Sequence, residues 1–147
     1  MDEDDPHNLQ RFLDAQHGRY NQAVAELRQG TKRSHWIWYI FPQLTGLGSS
    51  STAERFAIRN SKEAKAYIEH PVLGPRLIEA CRAVLSVEGK SATSIMGHPD
   101  DLKLRSCVTL FLQVAPEYPE FGHVLEKYYG GEPDQRTLQL LPTQSNT

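Results

Sequence analysis

Apolar positions recur along this chain at three- and four-residue spacing almost from end to end. Leu9, Phe12, Leu13 and Gln16 fall on one helical face, behind Asp5-Pro6, which reads as an N-cap followed by a first-turn proline. Tyr20, Val24 and Leu27 continue the stripe until Gly30 closes it. A further helix opens at Ser61 and stops at His70-Pro71. Pro75 starts the clearest amphipathic run, with Leu77, Ile78, Cys81, Val84 and Leu85 on one side. Ser91 caps a short helix that ends at Gly97. Pro99 begins another that reaches about Ala115. Pro119 to Tyr128 forms the next, and Asp134 caps the last. Period-two alternation is absent, so no strand is expected. The pattern predicts an all-α fold, a compact multihelical single domain of about eight or nine short helices. It runs over residues 8–141, after a flexible acidic segment at 1–7 and before a disordered tail at 142–147.

The 147 residues suit one domain. A chain of this size buries roughly 68–70% of its unfolded surface, enough for one core. The net charge of −2 gives no general attraction to nucleic acid or to an anionic membrane. The start "MDEDDPHNLQ" lacks the charge pattern of a secretory signal, and no apolar run is long enough to span a bilayer. Cys81 and Cys107 both lie within apolar helical patterns, away from any CxxC. They read as buried reduced thiols, which makes the cytoplasm the simplest location.

Two stretches depart from ordinary helix chemistry. The first is "KRSHWIWYIFPQLTGLGSS", Lys32 to Ser50. A helix from Thr31 to Phe41 would put Lys32, His35, Trp36 and Tyr39 on one face. Ile37 and Ile40 would then be core. That face could stack a planar ring while Lys32 or Arg33 meets a phosphate. It could equally pack its rings and send its cations to water. Pro42 ends the helix, and Gln43, Gly46 and Gly48 follow in a loop that can approach a ligand closely and feeds the next helix start. The loop is neither a Walker A nor a GxGxxG motif.

The second is "HPDDLKLRSCVTLFLQ", His98 to Gln113. Leu104, Cys107, Val108 and Phe111 make a core face. Opposite lie Ser106, Thr109 and Gln113, short uncharged groups where a solvated helix would carry Lys and Glu. Asp100 and Asp101 complement the helix dipole, and adjacent carboxylates point about 100° apart, so a shared-proton pair is not expected. Either could act as a base or hold a ribose hydroxyl. The six histidines show no metal-ligand spacing, and there is no Gly-x-Ser-x-Gly elbow. No cofactor and no metal are expected.

The segments "LQRFLDAQ", "ELRQGTKRSHWIWYIFPQLTGLGSS", "EAKAYIEHPVLGPRL", "GHPDDLKLRSCVTLF" and "YYGGEPDQRTLQLL" together resemble the DUF1810 family of unknown function, over about Leu9 to Leu141. The resemblance implies a small, mostly helical cytosolic protein and brings no activity. The label calpastatin, carried by some members, suits a disordered repetitive inhibitor rather than this aromatic-rich chain. Members often read RSSMTLF where this chain has Cys107 for the second Ser.

Three functions follow as expectations. The first is an enzyme or binder for a nucleotide or ADP-ribose-like molecule, with a loose fold-level analogy to the NADAR group. In it Trp36 or Trp38 stacks the base and Lys32 and Arg33 bind phosphate. Gln43, Gly46 and Gly48 line the pocket, Lys103 and Ser106 orient the substrate, and His35 or Asp101 is the acid or base. The second is a protein-interaction module using the Trp/Tyr face. The third is RNA binding, against which the net charge argues.

Overall fold

The computed structural model describes residues 4–144. Ten helices follow one another: α1 (Gln10–Gln16), α2 (Tyr20–Gln29), α3 (Ile37–Ile40), α4 (Ser51–Arg55), α5 (Ser61–Glu69), α6 (Leu73–Leu85), α7 (Ala92–Met96), α8 (Asp100–Val114), α9 (Pro119–Tyr129) and α10 (Gln135–Gln144). Among the described residues there is no strand, only an isolated bridge between Leu44 and Ile58. The fold is all-α, as the periodicity predicts. The last helix continues through Gln144, past Leu141, and residues 1–3 and 145–147 lie outside the described residues.

α8 is the axis. It packs against α9, α5, α10, α7 and α3, while α6 packs against α9, α2 and α5. Leu104, Cys107, Val108 and Phe111 of α8 are buried, as their spacing requires. Phe111 rests on Tyr67 of α5 and Phe121 of α9, with ring centroids 5.5 and 5.7 Å apart. α5 and α6 meet so closely that a Cβ on Gly74 would lie 2.1 Å from the Ile68 carbonyl oxygen, which leaves no room for alanine.

Capping side chains explain several boundaries, among them Ser50, Asn60 and Ser91. Both Asp5 carboxylate oxygens accept backbone N–H groups at the start of α1, from Leu9 at 2.7 Å and Gln10 at 2.9 Å. α5 opens at Ser61, as expected, and Asn60 caps it. His70 Nδ1 accepts the N–H groups of Val72 and Leu73, so α6 starts before Pro75. Gly30 ends α2 in the left-handed conformation, φ 79°.

One expected element is corrected. The helix from Thr31 to Phe41 shrinks to Ile37–Ile40. Its first backbone donors are taken elsewhere. Lys32 N–H bonds the Ile95 carbonyl at 2.7 Å, and the N–H groups of Arg33 and Ser34 bond Glu26 Oε1 at 2.8 and 3.1 Å. These contacts hold Lys32–Ser34 as a non-helical loop against α2 and α7, and the Trp36 carbonyl, which takes the N–H groups of Tyr39 and Ile40, is the acceptor with which α3 opens. Lys32, His35, Trp36 and Tyr39 therefore do not form a helical face.

Candidate functional site

Glu26 organises the loop between α2 and α3. Its Oε1 accepts Arg33 N–H, Ser34 N–H and, at 2.9 Å, the indole N–H of Trp36. Its Oε2 accepts the Ser34 hydroxyl at 2.6 Å. Burial pushes this carboxyl up, but the Ser34 hydroxyl, the Arg33 N–H, the Trp36 indole and the Ser34 N–H together outweigh burial and hold it down at about 2. Trp36 is 2% exposed and anchors the loop, so no face of it is open to a stacked ring.

Lys32 is drawn in behind it. Its side chain is 6% exposed, with Nζ 2.8 Å from Asp100 Oδ2. Nζ also donates to the Ser34 carbonyl at 2.7 Å and lies 4.9 Å from the centre of the Trp36 ring. This ammonium ties the loop to α8 and has little left for a phosphate. Arg33 is exposed.

Trp38 is half-buried, and Lys103 Nζ sits 5.3 Å from its ring centre. Lys103 has one further partner, Asp100 Oδ1 at 3.5 Å. On its other side Trp38 borders a cleft lined by Gln43, Gly46, Gly48 and Glu54. Gly46 has φ +95°, and a Cβ there would press on Leu140 of α10. The cleft encloses about 10 Å³, room for a single water. So Trp38, Gln43, Gly46, Gly48 and Lys103 come together. Of Asp101, Lys103 and Ser106 on α8, Lys103 is the one set over the Trp38 ring, and none of the three lines the cleft itself.

His35 lies elsewhere, on a cleft of about 80 Å³ with Arg19, Gln22, Ser34, Trp36 and Tyr39. Asp101 is buried and has a different histidine as partner: His98 Nδ1 is 3.1 Å from Asp101 Oδ1. The spacing His98-x-x-Asp101 is plain in the sequence, but a helix-start aspartate has a sufficient local role, so it stands out only once the loop before α8 is placed. Thr93, which donates its hydroxyl to Asp101 Oδ2 at 2.6 Å, gives no sequence signal.

Of the polar stripe of α8, Ser106 and Thr109 are buried and Gln113 is exposed. Ser106 donates back to the Leu102 carbonyl at 3.1 Å. Thr109 is fully buried, donates to the Arg105 carbonyl at 2.8 Å and accepts the N–H of Asp134 at 2.9 Å. Asp134 in turn accepts Thr137 N–H at 3.0 Å, so Thr109 seats the start of α10. Thr109→Val keeps the volume but orphans the Asp134 N–H. It is expected to cost about 1 kcal/mol in chemical denaturation.

Among the described residues, no cluster of three His, Cys, Asp or Glu side chains could hold a metal. Nor is any described helix long and apolar enough to cross a membrane. Burial pushes the Cys81 and Cys107 thiols far up, so neither supplies a thiolate.

Residues 6–141 match the family described as protein of unknown function, DUF1810, and the chain belongs to it. It is similar to the conserved hypothetical protein Rv1873 from Mycobacterium tuberculosis, known from a crystal structure. The two share 50% sequence identity with a TM-score of 0.92, over 94% of this chain and 99% of that one. The chain matches no curated protein.

Proposed function

We propose that the protein binds a small nucleotide-like molecule, of the nucleotide or ADP-ribose class, on the Trp38 face. The observation that carries this reading is Trp38 itself: a half-buried indole, with a loosely paired lysine 5.3 Å from its ring centre, beside the glycine loop. An incoming base takes the place of the Lys103 ammonium over the ring, and the freed ammonium meets the phosphate. Gln43 and the backbone at Gly46 and Gly48 supply hydrogen bonds at the edge. The cleft holds about one water, so the base lies against Trp38 at the mouth and not inside. Lys32 and Trp36 support the site from behind. A cytoplasmic setting suits it, with two buried free thiols.

A protein partner is the second reading, favoured by Leu102, which is 48% exposed on α8 next to Lys103.

Thermal-shift measurements against nucleotides, ADP-ribose, NAD derivatives and nucleosides test the first reading. A ligand at about 100 times its Kd adds about 2.7 kcal/mol, a rise of several degrees in Tm. Lys103→Ala is expected to abolish that rise and to move the unliganded Tm little, since the side chain is on the surface. If no compound raises Tm, the small-molecule reading fails and the partner surface stands.

A further inference from the structure

At the head of α8 a buried carboxylate holds a histidine out to solvent. Asp101 Oδ1 lies 3.1 Å from His98 Nδ1, and the two side chains are 10% and 65% exposed. Asp101 is fixed around this contact. Its Oδ2 accepts the Thr93 hydroxyl from α7 at 2.6 Å, and its Oδ1 also accepts the N–H of Leu102 at 3.0 Å. Its backbone carbonyl accepts the hydroxyl of Tyr129 at 2.5 Å, from α9. Three helices therefore set the position of one carboxylate.

A carboxylate only accepts, so the proton of a neutral His98 ring stays on Nδ1. Nε2 then carries a lone pair that faces water. Which ring nitrogen is protonated is set by the partner of the other, and here the partner is rigid. Two nearby cations are drawn to the neighbouring carboxylate: Lys103 of α8 and Lys32 of the α2–α3 loop pair with Asp100. The exposed neighbour of the dyad is apolar Leu102. An uncharged substrate with an apolar group fits these surroundings better than a phosphate.

We propose that Thr93, Asp101 and His98 form a catalytic relay in which His98 Nε2 is the nucleophile towards activated esters presented from solvent, with Asp101 as the positioning residue. Nε2 attacks the carbonyl carbon, an N–C bond forms, and the C–O bond breaks as the alkoxide or aryl oxide leaves. The acyl-imidazolium keeps its proton on Nδ1, hydrogen-bonded to Asp101, whose charge balances it. Water then adds to the acyl carbon and the C–N bond breaks. The carboxylic acid departs with one proton of that water, the other goes to the released alkoxide or aryl oxide, and neutral His98 returns. The sum is ester plus water giving acid plus alcohol, with no oxidant or metal. The relay does not depend on a ligand at Trp38.

The test is hydrolysis of p-nitrophenyl acetate by the full chain, followed by release of the aryl oxide. His98→Asn is expected to lower the rate about tenfold or more, while His17→Asn, also exposed, leaves it unchanged. Asp101→Asn is expected to lower the rate and to move the His98 ring from the Nδ1–H to the Nε2–H tautomer in nitrogen NMR of labelled histidine. Thermal melts check that each variant folds. If Asp101→Asn does not fold, Thr93→Val is the second variant, and the tautomer of the unsubstituted protein is read directly. A His98→Asn rate equal to that of the unsubstituted protein overturns the proposal. So does an Nε2–H tautomer in the unsubstituted protein. The trio then does no more than fasten α7 to α8.

Discussion

Glu26→Ala is expected to destabilise the protein by about 4 kcal/mol, the largest effect of any substitution near the site. Five donors converge on this carboxylate: the N–H groups of Arg33 and Ser34, the Ser34 hydroxyl, the Trp36 indole and the Gln22 side-chain amide. Alanine leaves them facing a gap in a buried place, and each orphaned donor costs about 1–3 kcal/mol, with relaxation and water recovering part. Glu26→Gln separates charge from connectivity. The amide oxygen can replace Oε1 and keep three donors, but the amide nitrogen then meets Gln22 Nε2, which lies 3.3 Å from Oε2. A loss of about 2 kcal/mol is expected for it. The same group sets an acid limit. Its ordinary value is 4.5, and in the fold its pKa lies at about 2, because the hydrogen bonds from Ser34, Arg33 and Trp36 outweigh the upward push of burial. A lowered pKa means that the folded state holds its proton less tightly than the unfolded chain. The contribution, about 3 kcal/mol, is therefore full above about pH 4.5 and is lost as pH falls towards 2. Urea denaturation at neutral pH and near pH 3 checks this. Glu26→Gln should lack most of the acid-side loss that the unsubstituted protein shows.

Arg11→Met is expected to cost about 3–5 kcal/mol, because it strands a buried carboxylate. Arg11 Nη2 lies 2.6 Å from Glu63 Oε2, and the Glu63 side chain is 0% exposed. The same guanidinium donates to the carbonyls of Arg55, Ala57, His7 and Asn8. It thus joins the N-terminal turn, the end of α4 and the start of α5. Glu63 also accepts the N–H of Arg59 at 3.2 Å. Arg11→Lys is not conservative here, since one ammonium has three donors and cannot span this arc of acceptors. Adding Glu63→Gln to Arg11→Met should recover much of the loss, because the stranded charge is then gone. Denaturation of the two single variants and the double variant gives the coupling.

The helical elements were legible because most obey local rules. Ser91, Asp134, Gly30 and Pro119 act where their chemistry says they should. The stretch from Thr31 to Trp36 was not legible, because its conformation is decided by Glu26 and Ile95, which lie outside it. A buried glutamate on an otherwise ordinary amphipathic helix carries no local mark. The same non-local contacts take Trp36 into the core and Lys32 onto Asp100, and they leave Trp38 as the open indole. The Ser106 and Thr109 hydroxyls donate to the Leu102 and Arg105 carbonyls, and Thr109 accepts the Asp134 N–H, where sequence alone left room for a ligand. Asp101 was singled out by its position, and its histidine proved to be the nearby His98. His35 lines a separate cleft with Arg19 and Tyr39.

The chain has two tryptophans with opposite settings, Trp36 buried and Trp38 half-buried. Their indole N–H signals can be followed separately by NMR as ADP-ribose is added to the protein. The signal of Trp36, hydrogen-bonded to Glu26 at 2.9 Å, should stay in place, while that of Trp38 moves in a saturable way that Lys103→Ala weakens. A Trp38 signal that stays fixed with ADP-ribose and with the other nucleotide-like compounds, or a shift confined to Trp36, would contradict a ligand face built on Trp38.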